Sequence, residues 1–236
     1  MRPRNERPIE LPEEREARIH EAEKEELLGF LEEFHVEEKI IEKVLLGDYE
    51  MVIDEKEERL ARALSAQSRR TILRLLINRE LTVTRIAEAA QTSLSLTSRH
   101  LTFLADTGLV IVRKKTPHKH YSLRSQKLAN LLQDYDTIHR HKLFRSSQKG
   151  EENLARILNA AHRRTALRLL AEEEMTVSEL AKLTQSSMSL VSRHLKLAHD
   201  LGFLKIRKAA QFKYYSLAVE PLKELIVNYD LVLKEL

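Results

Sequence analysis

Ser93-Leu94-Ser95-Leu96-Thr97-Ser98-Arg99-His100-Leu101 is the stretch that decides how this chain is read. Ser93 suits a helix N-cap, and Thr97, Leu101 and Leu104 follow at helical spacing, one side of a helix. The opposite face carries Leu94, Ser95, Ser98 and Arg99. Gly108 stops the helix at its C-terminal end, and Leu109-Val110-Ile111-Val112 then reads as strand. Ninety-four residues later the pattern returns as Ser187-Met188-Ser189-Leu190-Val191-Ser192-Arg193-His194-Leu195, with Gly202 and Phe203 to Ile206 behind it. The whole of Glu57 to Asp136 aligns without a gap on Glu151 to Asp230, with thirty-eight of eighty positions identical. A repeat of that length means one folded unit used twice.

Working outward, each copy opens with Leu-rich helical patterns around a basic pair. These are Leu60, Leu64, Leu73, Leu75 and Leu76 around Arg69-Arg70, and Leu154, Leu158, Leu167, Leu169 and Leu170 around Arg163-Arg164. A short helix follows, with Thr82 and Thr176 as N-caps and Val83, Ile86, Ala87 or Val177, Leu180, Ala181 as its buried face. After the glycine, Arg113 to Lys119 and Arg207 to Lys213 are basic turns that return through Tyr121-Ser122-Leu123 and Tyr215-Ser216-Leu217. A last helix is expected from about Ser125 to Lys142 and from about Pro221 to Leu236, proline suiting its first turn. The fold class is therefore mainly α with small β-hairpin wings. Two tandem winged helix-turn-helix domains, 57–142 and 151–236, follow an acidic helical N-terminal segment, 1–56.

Charge divides along the same boundary. Met1 to Lys56 holds nine basic and eighteen acidic residues, a net of −9, whereas Glu57 to Leu236 carries a net of +13, although the chain as a whole is only +4. A basic repeat region beside an acidic leader points to a polyanionic partner for the repeats. Cysteine is absent, so disulfides, thiolate metal sites and a cysteine nucleophile are excluded together. No apolar run reaches a membrane span and the charged N-terminus lacks a signal region, so the expected location is the cytoplasm. No phosphate-cradling glycine loop or nucleophile with a base is present. Ser98 and His100 sit two apart on a helix and do not face each other. An enzyme and a bound cofactor are not expected.

The ordered elements Arg69-Arg70, Ser93-Leu94-Ser95, Ser98-Arg99-His100-Leu101, Gly108-Leu109 and Tyr121-Ser122-Leu123 resemble the ArsR-type transcriptional regulators, and the likeness covers both copies. The tandem arrangement and the leader depart from the usual single-domain member. In being tandem the chain is similar to some archaeal regulators, the euryarchaeal archaellum regulator included. The resemblance implies a winged fold, dimeric action and a double-stranded DNA target, a promoter or operator.

A helix fits the major groove, where each base pair shows a distinct donor and acceptor pattern. Short polar or basic groups near the helix N-terminus serve that purpose: Ser95, Ser98 and Arg99, then Ser189, Ser192 and Arg193. Arg99 suits either a guanine edge or a phosphate. Leu94 and Met188 suit either thymine methyls or packing against the wing or a partner helix, and Leu96 and Leu190 pose the same choice. His100 and His194 have two readings, a phosphate bond or a structural role under the wing. Arg113, Lys114 and Lys119, with Arg207, Lys208 and Lys213, sit where a wing tracks the DNA backbone, adding affinity without sequence information.

Pairing is expected through Leu128 to Tyr135 and Leu222 to Tyr229, either within one chain or between chains, with a homodimer favoured. Metal sensing by Asp134, Asp136, His139 and His141 is weak, because the second copy lacks those histidines. Leu27, Leu28, Leu31, Phe34, Ile40, Ile41, Val44 and Leu45 form amphipathic stretches in the leader. They suit an addition to the dimer core, a cover over one of the repeats, or contact with a partner such as a basal transcription factor. An adaptor that uses winged helices only as docking modules is the alternative function.

Overall fold

The computed structural model describes residues 55–140 and 150–236. The leader's apolar stretches, His141 and Lys142 lie outside the described residues. The first repeat runs α1 (Glu55–Ser65), α2 (Gln67–Leu75), β1 (Leu81–Thr82), α3 (Val83–Ala89), α4 (Leu94–Asp106), β2 (Val110–Lys115), β3 (His118–Leu123) and α5 (Gln126–Arg140). The second runs α6 (Gly150–Leu158), α7 (Ala161–Glu172), α8 (Val177–Leu183), α9 (Met188–Asp200), β4 (Leu204–Ala209), β5 (Phe212–Leu217) and α10 (Pro221–Leu233). This is the helical, winged architecture that the pattern predicts, twice over.

Local chemistry sets the boundaries. Thr82 caps α3 by accepting a bond from the Arg85 amide. Thr176 caps α8 with a full capping box, in which the Glu179 carboxylate accepts a bond from the Thr176 amide. Gly108 and Gly202 both adopt φ of +83°, a conformation that only glycine adopts without strain. That lets the chain leave α4 and α9 and turn straight into the wings.

The wings are antiparallel hairpins, β2 with β3 and β4 with β5. In the first repeat β1 adds a third strand on β3, pairing Leu81 with Tyr121 and Thr82 with His120. In the second, the same place holds only an isolated bridge between Met175 and Tyr215. Each repeat has its own core. Leu60, Leu64, Ile72, Leu73, Ile86, Leu101 and Leu104 are buried in the first, and Leu154, Ile157, Leu169, Leu180 and Leu195 in the second. Each such side chain contributes about 1.5–3 kcal/mol on burial.

Both repeats belong to one compact unit. α5 packs on α10 and α1 packs on α6, and Leu128, Leu131, Leu132 and Tyr135 of α5 are buried, as are Leu222, Leu225, Ile226 and Tyr229 of α10. The surfaces expected to pair do so here within a single chain. Charges are exchanged reciprocally across this contact. Arg70 Nε donates to Glu151 Oε1 at 2.5 Å, and its counterpart Arg164 donates to Glu57, the counterpart of Glu151, at 2.6 Å. Arg74 bridges Asp136 and Glu151, while Arg168 bridges Asp230 and Glu57. Burial opposes the charge on Arg168, but the bonds and charges of Asp230 and Glu57 outweigh it and raise its pKa. Burial likewise opposes ionisation of Glu151, and Arg70 and Arg74 overcome it, holding that carboxyl below its usual range. The two halves are not equal. Arg164 Nη2 reaches Glu58, and Tyr229 Oη donates to the Glu57 carbonyl, whereas Arg70 Nη2 and Tyr135 Oη are buried without a hydrogen-bond partner.

Candidate nucleic-acid interface

Helices α4 and α9 are each anchored on one side and open on the other. In α4 the buried Thr97, Leu101 and Leu104 hold the helix to the core, and Val191, Leu195 and Ala198 do the same for α9. Thr92 and Thr97 share a hydroxyl hydrogen bond of 2.7 Å that ties the preceding turn to the helix. Ser93 and Ser187 cap the two helices, accepting from the Leu96 and Leu190 amides at 3.2 Å. The faces left outside carry Ser95, Ser98 and Arg99 and their counterparts Ser189, Ser192 and Arg193, all exposed. Leu94 is 53% exposed and Met188 58%.

The histidines occupy the flank. His100 Nε2 lies 3.1 Å from Ser68 Oγ, tying α4 to α2 rather than to the wing. His194 sits beside His162 of α7, ring centres 5.8 Å apart, and His162 is the counterpart of Ser68. Burial lowers the pKa of both, helped by Arg69 and Arg99 for His100, and by Arg163, His162 and Arg193 for His194. Near neutral pH each is an uncharged imidazole, a hydrogen-bonding group rather than a phosphate counter-ion.

The wings concentrate like charge. Lys114 stands directly opposite Lys119, and Lys208 directly opposite Lys213. Like charges facing each other across a hairpin are destabilising, yet the arrangement occurs in both repeats and is exposed in both. Arg113 is exposed. Its counterpart Arg207 is held by Glu174, with Nε 3.0 Å from both carboxylate oxygens, and lies over the Tyr214 ring at 4.6 Å. In the first repeat the equivalent Glu80 takes Lys115 instead, at 2.5 Å. The lysine bond lowers the Glu80 pKa, and the Arg207 bond does the same for Glu174.

Sequence reasoning missed an open cleft of about 410 Å³ at the base of the first wing, lined by Arg79, Arg113, Arg124, Glu80 and Gln126 among others. The aligned positions in the second repeat are Glu173, Arg207, Ala218, Glu174 and Glu220. The signal was available in the loss of two arginines and the gain of two glutamates between the copies, but it becomes a feature only when folding brings the three segments together. Two of the metal candidates are otherwise engaged: Asp134 accepts a bond from Asn228, and Asp136 pairs with Arg74. Among the described residues no group of three or more His, Asp or Glu is placed to hold a metal ion.

Two capped helices with exposed Ser-Ser-Arg faces, each beside a basic hairpin, define a tandem winged helix-turn-helix regulator. The model for the bacterial regulatory protein, arsR family, matches residues 66–112 and again 162–205. The chain is 31% identical over 97 residues to a cadmium resistance transcriptional regulatory protein CadC homolog from Staphylococcus aureus, covering 38% of this chain and 80% of that relative. It belongs to the ArsR family. Among solved structures it is similar to reduced HlyU from Vibrio cholerae, with 30% identity, TM-score 0.32, and coverage of 36% of this chain and 86% of that one. It is also similar to a possible transcriptional regulatory protein from Mycobacterium bovis, with 26% identity, TM-score 0.36, and coverage of 39% and 98%.

Proposed function

We propose that this DNA-binding transcriptional regulator reads double-stranded DNA sequence-specifically, with α4 and α9 in the major groove and the two wings on the phosphate backbone. The observation that carries the reading is the pairing of lysine against lysine in both wings beside an exposed serine and arginine helix face. That arrangement weakens a free hairpin and suits one lying on a polyanion. Arg99 and Arg193 are the principal readers; Ser95, Ser98, Ser189 and Ser192 supply hydroxyls. His100 and His194 act as neutral groups at the flank. Lys114, Lys119, Lys208 and Lys213 track phosphates, with Arg113 available in the first wing and Arg207 only on release from Glu174.

One chain supplies both readers, because α5 and α10 pair internally. The expected site is an imperfect inverted repeat with half-sites about one DNA turn apart, roughly 10 bp. A homodimer, the assembly favoured from sequence, then has to form through other surfaces. The acidic segment 1–56 is the candidate for that role and for contact with a basal transcription factor. The tandem arrangement supports the archaeal type, working in the cytoplasm, and no helix among the described residues is long and apolar enough to cross a membrane. The cadmium in the relative's name does not transfer, since the chain has no cysteine. Catalysis is not part of the proposal.

Selection of bound duplexes from a random pool tests specificity, symmetry and spacing together. Arg99→Ala and Arg193→Ala should each weaken the selected site by about 1–3 kcal/mol, the worth of a bidentate base contact, with little change on scrambled DNA. Lys114→Ala with Lys119→Ala should weaken all sequences alike and flatten the salt dependence by about 0.9 in log–log slope for each phosphate no longer neutralised. Wing variants that keep the parental slope would remove the wing from the interface. A chain that ignores every duplex at low ionic strength would leave the docking-module adaptor in its place.

A further inference from the structure

Near their N-termini the exposed faces of α4 and α9 share serine, serine and arginine, Ser95, Ser98 and Arg99 against Ser189, Ser192 and Arg193, and differ at the first position, Leu94 against Met188. Both of those side chains are more than half exposed. Packing against the wing or a neighbouring helix, which would bury them, is not what the structure shows. An apolar side chain held open in both copies of a repeat, at the tip of a helix made for the major groove, calls for an apolar partner there.

The surroundings select that partner. Leu94 lies one turn before Ser98 on the same strip, and Ser95 and Arg99 run beside it. A protein-binding face would continue the apolar strip along the helix, whereas here a single apolar group is surrounded by hydroxyls and a guanidinium. The major-groove edge of a thymine offers that combination in reverse, a C5 methyl next to the O4 acceptor, with adenine N6 and N7 alongside. The basic wings supply the charge complement to the same duplex. Leu96 lies about 200° around the helix from Leu94, is less exposed, and is assigned no base.

We infer that Leu94 and Met188 each contact a thymine methyl, so that the recognised DNA carries thymine at the equivalent position of both half-sites. The proposal rests on the DNA-reading function above and names what that reading selects. Leucine is branched and offers few shapes, while methionine is unbranched and adapts to its surroundings. The half-site under α4 is therefore the stricter of the two and tolerates replacement of its thymine less than the half-site under α9.

The test uses the full chain and the duplex selected from the random pool, resynthesised with deoxyuridine in place of thymidine at the candidate position of one or both half-sites. Uracil keeps O4 and loses only the methyl. Each replacement should weaken binding roughly fourfold, the transfer value of one buried methyl-sized group, with the larger effect under α4. The double variant Leu94→Ser, Met188→Ser changes only exposed side chains, and it should bind the thymine and uracil duplexes alike. Leu94→Met should keep a discrimination under α4, reduced to the size found under α9. Equal binding of thymine and uracil duplexes by the parent, with preference over scrambled DNA intact, overturns the methyl contact and leaves the DNA reading standing. Discrimination that survives in the double serine variant overturns the assignment to these two residues. Loss of preference for any duplex over another overturns the contact together with the function on which it rests.

Discussion

Arg164→Leu should lower the free energy of unfolding by about 3–5 kcal/mol, the usual cost of breaking a buried ion pair by removing one partner. Arg164 is 2% exposed, and its guanidinium makes three kinds of contact: Nε to Glu57 at 2.6 Å, Nη2 to Glu58 at 2.6 Å, and Nη1 to the Leu158 carbonyl at 2.7 Å. Leucine fills part of the volume but leaves the Leu158 carbonyl unmet and Glu57, itself buried, with Arg168 alone. The counterpart change Arg70→Leu should cost less. Arg70 has one guanidinium nitrogen without a partner and pairs with one carboxylate, Glu151, whereas Arg164 pairs with two, Glu57 and Glu58. Arg59→Ala is the control, since the Arg59 to Glu55 pair is exposed on both sides and such pairs contribute at most about 1 kcal/mol. Urea titrations of the three variants measure this order. An Arg164→Leu chain within about 1 kcal/mol of the parent, the scale of an exposed pair, would mean that the internal contact between repeats does not form in solution.

That network also shows where the sequence was readable and where it was not. α4 and α9 were legible because their burial is periodic: Thr97, Leu101 and Leu104 recur at helical spacing, a glycine ends the helix, and a serine begins it. The outward face followed as the complement of the buried one. β1 was not legible, because two residues carry no period and Thr82 also reads as the cap of α3. His100 was ambiguous because a histidine beside a reading face has the same spacing whether it points at DNA or at Ser68, thirty-two residues away. The aligned repeat begins at Glu57 and ends at Asp136, and both residues lie in the ion-pair network, as do Arg70 and Arg74. Their identity in the two copies was visible in the sequence. Their partners were not, since an arginine of one repeat answers a glutamate of the other, and no local pattern encodes which. The exposure of Leu94 and Met188 likewise needed the fold, because only the packed wing shows that it does not cover them.

Asn228→Asp should make the chain's stability fall more steeply as pH rises from the carboxylate range to neutrality. Asp134 and Asn228 are the same position in the two repeats, ninety-four residues apart, and they meet each other: Asn228 Nδ2 donates to Asp134 Oδ2 at 2.7 Å. Burial raises the Asp134 pKa, the asparagine bond opposes that rise, and Glu224 adds to it. Replacing the amide by a carboxylate removes the donor and sets two negative groups in contact, so that one of them keeps its proton to higher pH. A carboxyl whose folded-state pKa exceeds its unfolded value binds more protons in the folded state. The contribution is therefore fully present below the ordinary carboxylate range, near pH 4, and is lost as pH rises through the folded-state pKa. Relative to the parent at each pH, the variant should match it at about pH 4 and fall below it by about 2 kcal/mol at pH 7, the worth of a hydrogen bond to a charged group. The exchanged pair Asp134→Asn, Asn228→Asp should restore parental stability, and Asp134→Asn alone, an amide facing an amide, should show no such pH dependence. A variant profile parallel to the parent's would mean that α5 and α10 do not meet at this position. The pair also explains why the repeats choose each other. The exchange of like copies between two chains would set Asp134 against Asp134, a contact that carries this penalty at neutral pH, whereas pairing within one chain always offers the carboxylate an amide.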